Sequence, residues 1–146
     1  MWYGIYMEKK LIQLGLMLVS FTLMVQPLGI PIYTYVPEGP PDVTFVSYFS
    51  SVPPTEYLNF SPIFIAIMSI IVIVRVAISL IVNYRKGSEV DNPGRVTMVC
   101  LILCLLATLA SWGFFSGISI VGGIVFSLHA AALICDLMTR RGYLYN

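Results

Sequence analysis

Residues 62–82 read PIFIAIMSIIVIVRVAISLIV, twenty-one positions dense in Ile and Val with a single charge, Arg75. A stretch of this length and composition matches the ~20 residues that a ~30 Å hydrocarbon layer requires at 1.5 Å per residue. β-branched residues favour strands in water. In lipid, however, an isolated strand leaves its backbone groups unpaired, so the run is read as a helix that crosses a membrane.

Three further runs resemble it. One spans about 11–29, interrupted by Gln13, Ser20, Thr22 and Gln26, and the others span 96–115 and 118–138. The expectation is an all-α membrane protein: a four-transmembrane-helix bundle forming one membrane domain over residues 1–146. Residues 30–61 form its outer loop and 83–95 its inner loop. Composition agrees, since 58% of residues are hydrophobic and 10% charged, with mean hydropathy +0.89. Soluble domains carry about 25% charged residues. Lys9 and Lys10 before the first run resemble a signal peptide, but Pro27, Gly29 and Pro31 stand where an A-x-A site would lie. The run is therefore read as a true first helix.

Cation placement predicts orientation. Lys9, Lys10, Arg85, Lys86, Arg95, Arg140 and Arg141 all fall on one side of the four spans, while the 30–61 connection holds Glu38, Asp42 and Glu56 and no cation. Both termini are expected on the cytoplasmic side. Within the outer loop, 32–36 and 43–49 have strand-like composition around the turn-forming Pro37-Glu38-Gly39-Pro40-Pro41-Asp42, which predicts a short β-hairpin. Tyr33, Tyr35, Tyr48 and Tyr57 suit an interfacial aromatic belt or a partner contact, and Trp2, Tyr3, Tyr6, Tyr143 and Tyr145 repeat the pattern on the inner side. Asn59-Phe60-Ser61 matches a glycosylation sequon, but Pro62 and the membrane follow at once.

Arg75 is the most expensive residue, at about 2.5–3.5 kcal/mol for a central arginine on insertion scales. Its side chain tilts toward the outer end of its helix, away from the nearer interface, so a polar partner is expected. Asp136, the only acid within the four runs, and His129, the only histidine, are the candidates on the fourth helix, with a neighbouring subunit or snorkelling to lipid headgroups as the alternatives. No metal and no cofactor are expected. A zinc site would need His129 beside Cys100 and Cys104, which share a helix face but lie at a different depth. Cys100, Cys104 and Cys135 all sit in apolar runs and suit packing better than disulfides. The Cys100-x3-Cys104 spacing is not the C-x-x-C of thiol oxidoreductases, and no carboxylate near mid-membrane offers proton coupling. A net charge of +1 without a basic run gives nucleic-acid binding no support.

The clearest organised signal is steric. Ser119, Gly123, Ser127, Ala131 and Cys135 recur at every fourth position, and Cys100, Cys104 and Thr108 form a shorter stripe. Small residues let helix backbones approach closely in lipid. The Ser116-Gly117 link is short enough to make the last two helices an antiparallel hairpin, so the stripes either meet each other or dock another subunit. The functional expectation is a non-catalytic structural or accessory subunit of a larger membrane assembly. Its partners would be the bilayer and other membrane subunits or copies of itself. A membrane complex and an enveloped virus particle, including one of a thermophile, both fit. The alternative is a small oligomeric channel or transporter using Arg75, His129, Gln13 and Gln26.

Overall fold

The computed structural model describes residues 2–34, 36–40, 42–50, 61–87, 94–114 and 119–141. Side chains of Trp2, Tyr3, Ile32, Tyr33, Thr34, Phe114, Arg140 and Arg141 are outside that description. So are Tyr35, Tyr57, Glu56, Asn59, Phe60, the Ser116-Gly117 link, Tyr143 and Tyr145. Four helices and two strands appear among the described residues: α1 (Trp2–Val25), β1 (Ile30–Thr34), β2 (Asp42–Val46), α2 (Ser61–Lys86), α3 (Gly94–Phe114) and α4 (Ile120–Arg141).

Three of these, α2, α3 and α4, are long and apolar enough to cross a membrane. The helix α1 differs from expectation at both ends. It starts at Trp2 and so takes in Glu8, Lys9 and Lys10, and it stops at Val25, ahead of Pro27, which disfavours helical backbone at Gln26. Every 18-residue stretch of α1 therefore contains all three charged residues, which is why it falls outside the apolar set. Residues 26–29 form a turn instead of a last helical turn.

Local chemistry sets the other ends. Pro62 stands in the first turn of α2, where a missing N–H leaves nothing unpaired. Gly87 ends α2 with φ +61°, the left-handed conformation that glycine adopts without a Cβ penalty. Arg85 and Lys86 in the last turn complement the helix dipole. Ser119 caps α4, its Oγ accepting the Gly122 N–H at 2.9 Å, and its hydroxyl donates to Gly29 O at 2.5 Å.

The buried positions follow one rule. On α1 they are Tyr6, Lys10, Gln13, Met17, Ser20 and Met24; on α4, Gly122, Val125, His129, Ala132, Asp136 and Thr139. Steps of three and four alternate, the 3.5-residue spacing of a helix-bundle seam. Each helix packs antiparallel on two neighbours: α1 on α2 and α4, α3 on α2 and α4. Facing outward are Leu11, Val19, Ile67, Val74, Leu106 and Ile134, among other aliphatics. Polar residues inside and aliphatic residues outside depart from the pattern of a water-soluble bundle.

The β-hairpin forms, two residues nearer α1 than the composition suggested at its first strand. β1 and β2 pair antiparallel from Ile30↔Val46 to Thr34↔Asp42. The Tyr48 N–H bonds Met24 O at 3.0 Å, which draws the chain out of the sheet after Val46 and lays the Tyr48 ring over Gly29. The rings of Phe21 and Phe49 meet edge to face at 5.7 Å and pin the same segment to α1. This closes one end of the bundle, the hairpin end.

Candidate functional site

The interior carries two polar clusters with an apolar layer between them. The first lies near the end opposite the hairpin. Lys10 Nζ stands 2.6 Å from Asp136 Oδ1, with the two residues 1% and 0% exposed. Lys10 also donates to Gln13 Oε1 at 3.0 Å, and the Thr97 hydroxyl reaches Asp136 Oδ1 at 3.1 Å and Gly94 O at 3.2 Å. Three helices thus converge on one carboxylate. Gln13 Nε2 is the one buried side-chain nitrogen or oxygen without a partner among the described residues. Beside this cluster the Tyr6 hydroxyl lies 3.2 Å from Ser79 Oγ, and Asn83 Nδ2 donates to Ser79 Oγ at 3.3 Å.

The geometry of the pair follows from helix direction. Side chains tilt toward the N-terminus of their own helix. On α1 that is the near end of the bundle, so Lys10 is free to reach outward like Lys9, whose Nζ finds Met138 O at 3.4 Å. On α4 it is the far, hairpin end, so Asp136 is drawn inward. Asp136 is therefore the residue in need of a counter-ion, and Lys10 turns in to supply it. Removing one member of such a buried pair costs about 3–5 kcal/mol, whereas replacing both by apolar residues is often near neutral.

The second cluster centres on His129, 1% exposed. Its Nδ1 lies 2.7 Å from Val125 O, which can only accept, so Nδ1 carries a proton. In an uncharged ring Nε2 is then an acceptor, and Ser69 Oγ sits 2.8 Å from it. The single Ser69 hydroxyl proton has Ile65 O at 2.7 Å as its other acceptor. Ser20 Oγ approaches Nδ1 at 3.4 Å. One imidazole therefore joins α1, α2 and α4 across the bundle. Seven residues separate His129 from Asp136, about 10 Å along α4. That interval is filled by Met17, Val72, Val76, Leu101 and Ala132.

Of the two residues considered as partners for Arg75, Asp136 forms an ion pair with Lys10, and His129 lies within hydrogen-bond distance of Ser69 and the Val125 carbonyl. Arg75 is half-buried on α2 and takes part in polar or electrostatic contacts of its own. The stripes part company. Cys100, Cys104 and Thr108 are all buried, and the Cys104 thiol points at Ile65 O at 3.7 Å, so this face meets α2. Of the longer stripe only Ser119, just ahead of α4, is buried, as cap and tie; Gly123, Ala131 and Cys135 are half-buried and Ser127 is exposed. A Cβ built on Gly123 meets nothing within 4 Å. Fourfold spacing turns about 40° further round a helix at each step, so this ridge winds off the 3.5-residue seam.

Lys10, Ser69, Thr97 and Ser79 were not singled out by sequence reading. Lys10 was counted with the flanking cations, because hydropathy places a helix boundary at the first charge. The available signal was spacing: Lys10, Gln13, Met17, Ser20 and Met24 already alternate steps of three and four. The cysteines are free thiols, and no three His, Cys, Asp or Glu side chains gather around a metal-sized space among the described residues. Chemically the two clusters hold helices together: an ion pair at one level and a shared imidazole at the other. No protein-family model, curated protein or solved structure matches the chain.

Proposed function

We propose that the chain is a four-span integral membrane protein with both termini on the cytoplasmic side. In this reading it serves as a structural or accessory subunit of a larger membrane assembly, in a membrane complex or an enveloped particle. The observation that carries the reading is the ridge of Gly123, Ser127, Ala131 and Cys135, small residues off the buried seam of α4, of which Ser127 is exposed, the other three are half-buried and Gly123 has open space where a Cβ would stand. Fourfold ridges suit a neighbouring helix crossing at about −40° to −50°, a geometry different from the roughly +20° of a 3.5-residue seam. In lipid there is no hydrophobic drive between helices, so close backbone approach along small residues supplies much of the association.

The four-span reading adds α1 to the three apolar helices. It is supported by the burial of Lys10 against Asp136, which removes one charge from the lipid-facing surface of α1, and by the aliphatic outer faces of all four helices. A channel through one bundle is the weaker alternative, because Met17, Val72, Val76, Leu101 and Ala132 close the path between the polar clusters.

Mass measurement in mild detergent tests the reading. The native chain should travel in a complex well above 16.2 kDa, and Gly123→Leu should release a folded lone chain whose far-UV helical signal matches that of the native chain. A native chain that is monomeric at 16.2 kDa in detergent and in nanodiscs would sink the proposal.

A further inference from the structure

We infer that the Lys10–Asp136 pair is an insertion latch: α1 becomes a spanning helix by docking its ammonium on a carboxylate that α4 carries. The inference rests on the four-span reading and extends it to the step that places α1. By itself α1 lacks a spanning composition. Its uncharged part, Leu11–Val25, is 15 residues, about 22 Å of helix against a hydrocarbon layer of about 30 Å. The missing length must come from the segment that contains Glu8, Lys9 and Lys10.

These three behave differently. Glu8 is exposed, Lys9 reaches the last turns of α4 at Met138 O, and Lys10 alone is sealed inside at 1% exposure. The receiving site is built from two other helices: Asp136 of α4 at 2.6 Å, with Thr97 of α3 holding the same oxygen at 3.1 Å. Asp136 is 0% exposed and tilted away from its nearer bundle end. The two buried charges therefore meet when α1 and α4 lie side by side. Insertion of α1 is in this way conditional on the C-terminal hairpin of the bundle, and the outer β-hairpin is delivered across the membrane by that docking.

Site-specific labelling tests this in the full chain. Glu38, exposed in the turn between β1 and β2, is replaced by Cys in each variant and probed in intact cells with a membrane-impermeant maleimide. The parent without Glu38→Cys sets the background from Cys100, Cys104 and Cys135. Adding Asp136→Leu, which leaves Lys10 without its counter-ion, should lower outside labelling by about tenfold. Combining Lys10→Leu with Asp136→Leu should restore it to within about twofold of the Glu38→Cys chain. Labelling that stays high in the Asp136→Leu variant overturns the latch. So does a double variant that remains as low as the single, because packing and not charge would then be responsible. A Glu38→Cys chain labelled only after detergent, or one washed from membranes by carbonate, is a different result: it overturns the four-span reading and the latch with it.

Discussion

At the scale of single residues, the interior is held by polar groups that satisfy each other, and its weak points are the groups with one partner. His129 Nε2 is the clearest, with Ser69 Oγ beside it at 2.8 Å. Removing the Ser69 hydroxyl leaves that buried nitrogen without this partner, which costs about 1–3 kcal/mol. Ser69→Ala should therefore lower stability by that amount in a detergent denaturation series, while Ser20→Ala, whose oxygen stands at 3.4 Å, should cost clearly less. Equal losses would refute the assignment of Ser69 as principal partner. Tyr48 offers a second test, outside the apolar helices. Burial beneath the hairpin pushes its phenol from 10.0 up to about 12. The folded state holds this proton more tightly than the unfolded state, so the associated stability is fully present below pH 10. It is lost as pH rises through about 12, and amounts to roughly 2–3 kcal/mol. The tyrosinate absorbance of wild type minus Tyr48→Phe should show the shifted titration, and a step at the ordinary value would contradict it. Of these residues, the sequence singles out His129 and Asp136 only as candidate partners for Arg75. It could not name Ser69 or Lys10, because hydrogen-bond partners lie 60 and 126 positions away along the chain.

At the scale of elements, the ends of helices and the seating of the hairpin depend on close approach. Gly29 is the tightest such point: a Cβ there would lie 2.6 Å from the Tyr48 ring. Gly29→Ala should displace that ring and loosen the β-hairpin, costing about 1–3 kcal/mol through overpacking. The comparison is Gly123→Ala, where nothing lies within 4 Å; the better helix propensity of alanine predicts a gain of up to about 1 kcal/mol. Thermal unfolding of the two variants in one detergent separates them, and matching shifts would show that the hairpin does not seat as described. Element type was legible from hydropathy and turn chemistry: four helices, with a hairpin where Pro37–Asp42 interrupts two strand-like stretches. Element ends were not. Lys9 and Lys10 look like a boundary to a hydropathy reading, yet the helix runs through them because a buried carboxylate on α4 accepts one of the two.

At the scale of the molecule, the arrangement departs from a soluble bundle: Lys10, Gln13, Ser69, His129 and Asp136 are inside with an apolar layer between them, and the outer faces are rich in exposed Ile, Val and Leu. That arrangement explains which of the two small-residue stripes is used. Cys100, Cys104 and Thr108 stay on the seam over two turns and pack against α2, whereas a stripe of five positions at fourfold spacing turns out of the seam and onto the outer surface. The sequence by itself determined that α2, α3 and α4 can cross a membrane, since length and hydropathy are properties of a contiguous stretch of chain. It also determined the hairpin, whose turn and strands are local. Only the tertiary structure decided how the first helix meets the rest. Composition counts Lys10 as a charge to be kept in water. Packing against α4 turns it into one half of a buried pair, and such compensation depends on two residues meeting across space.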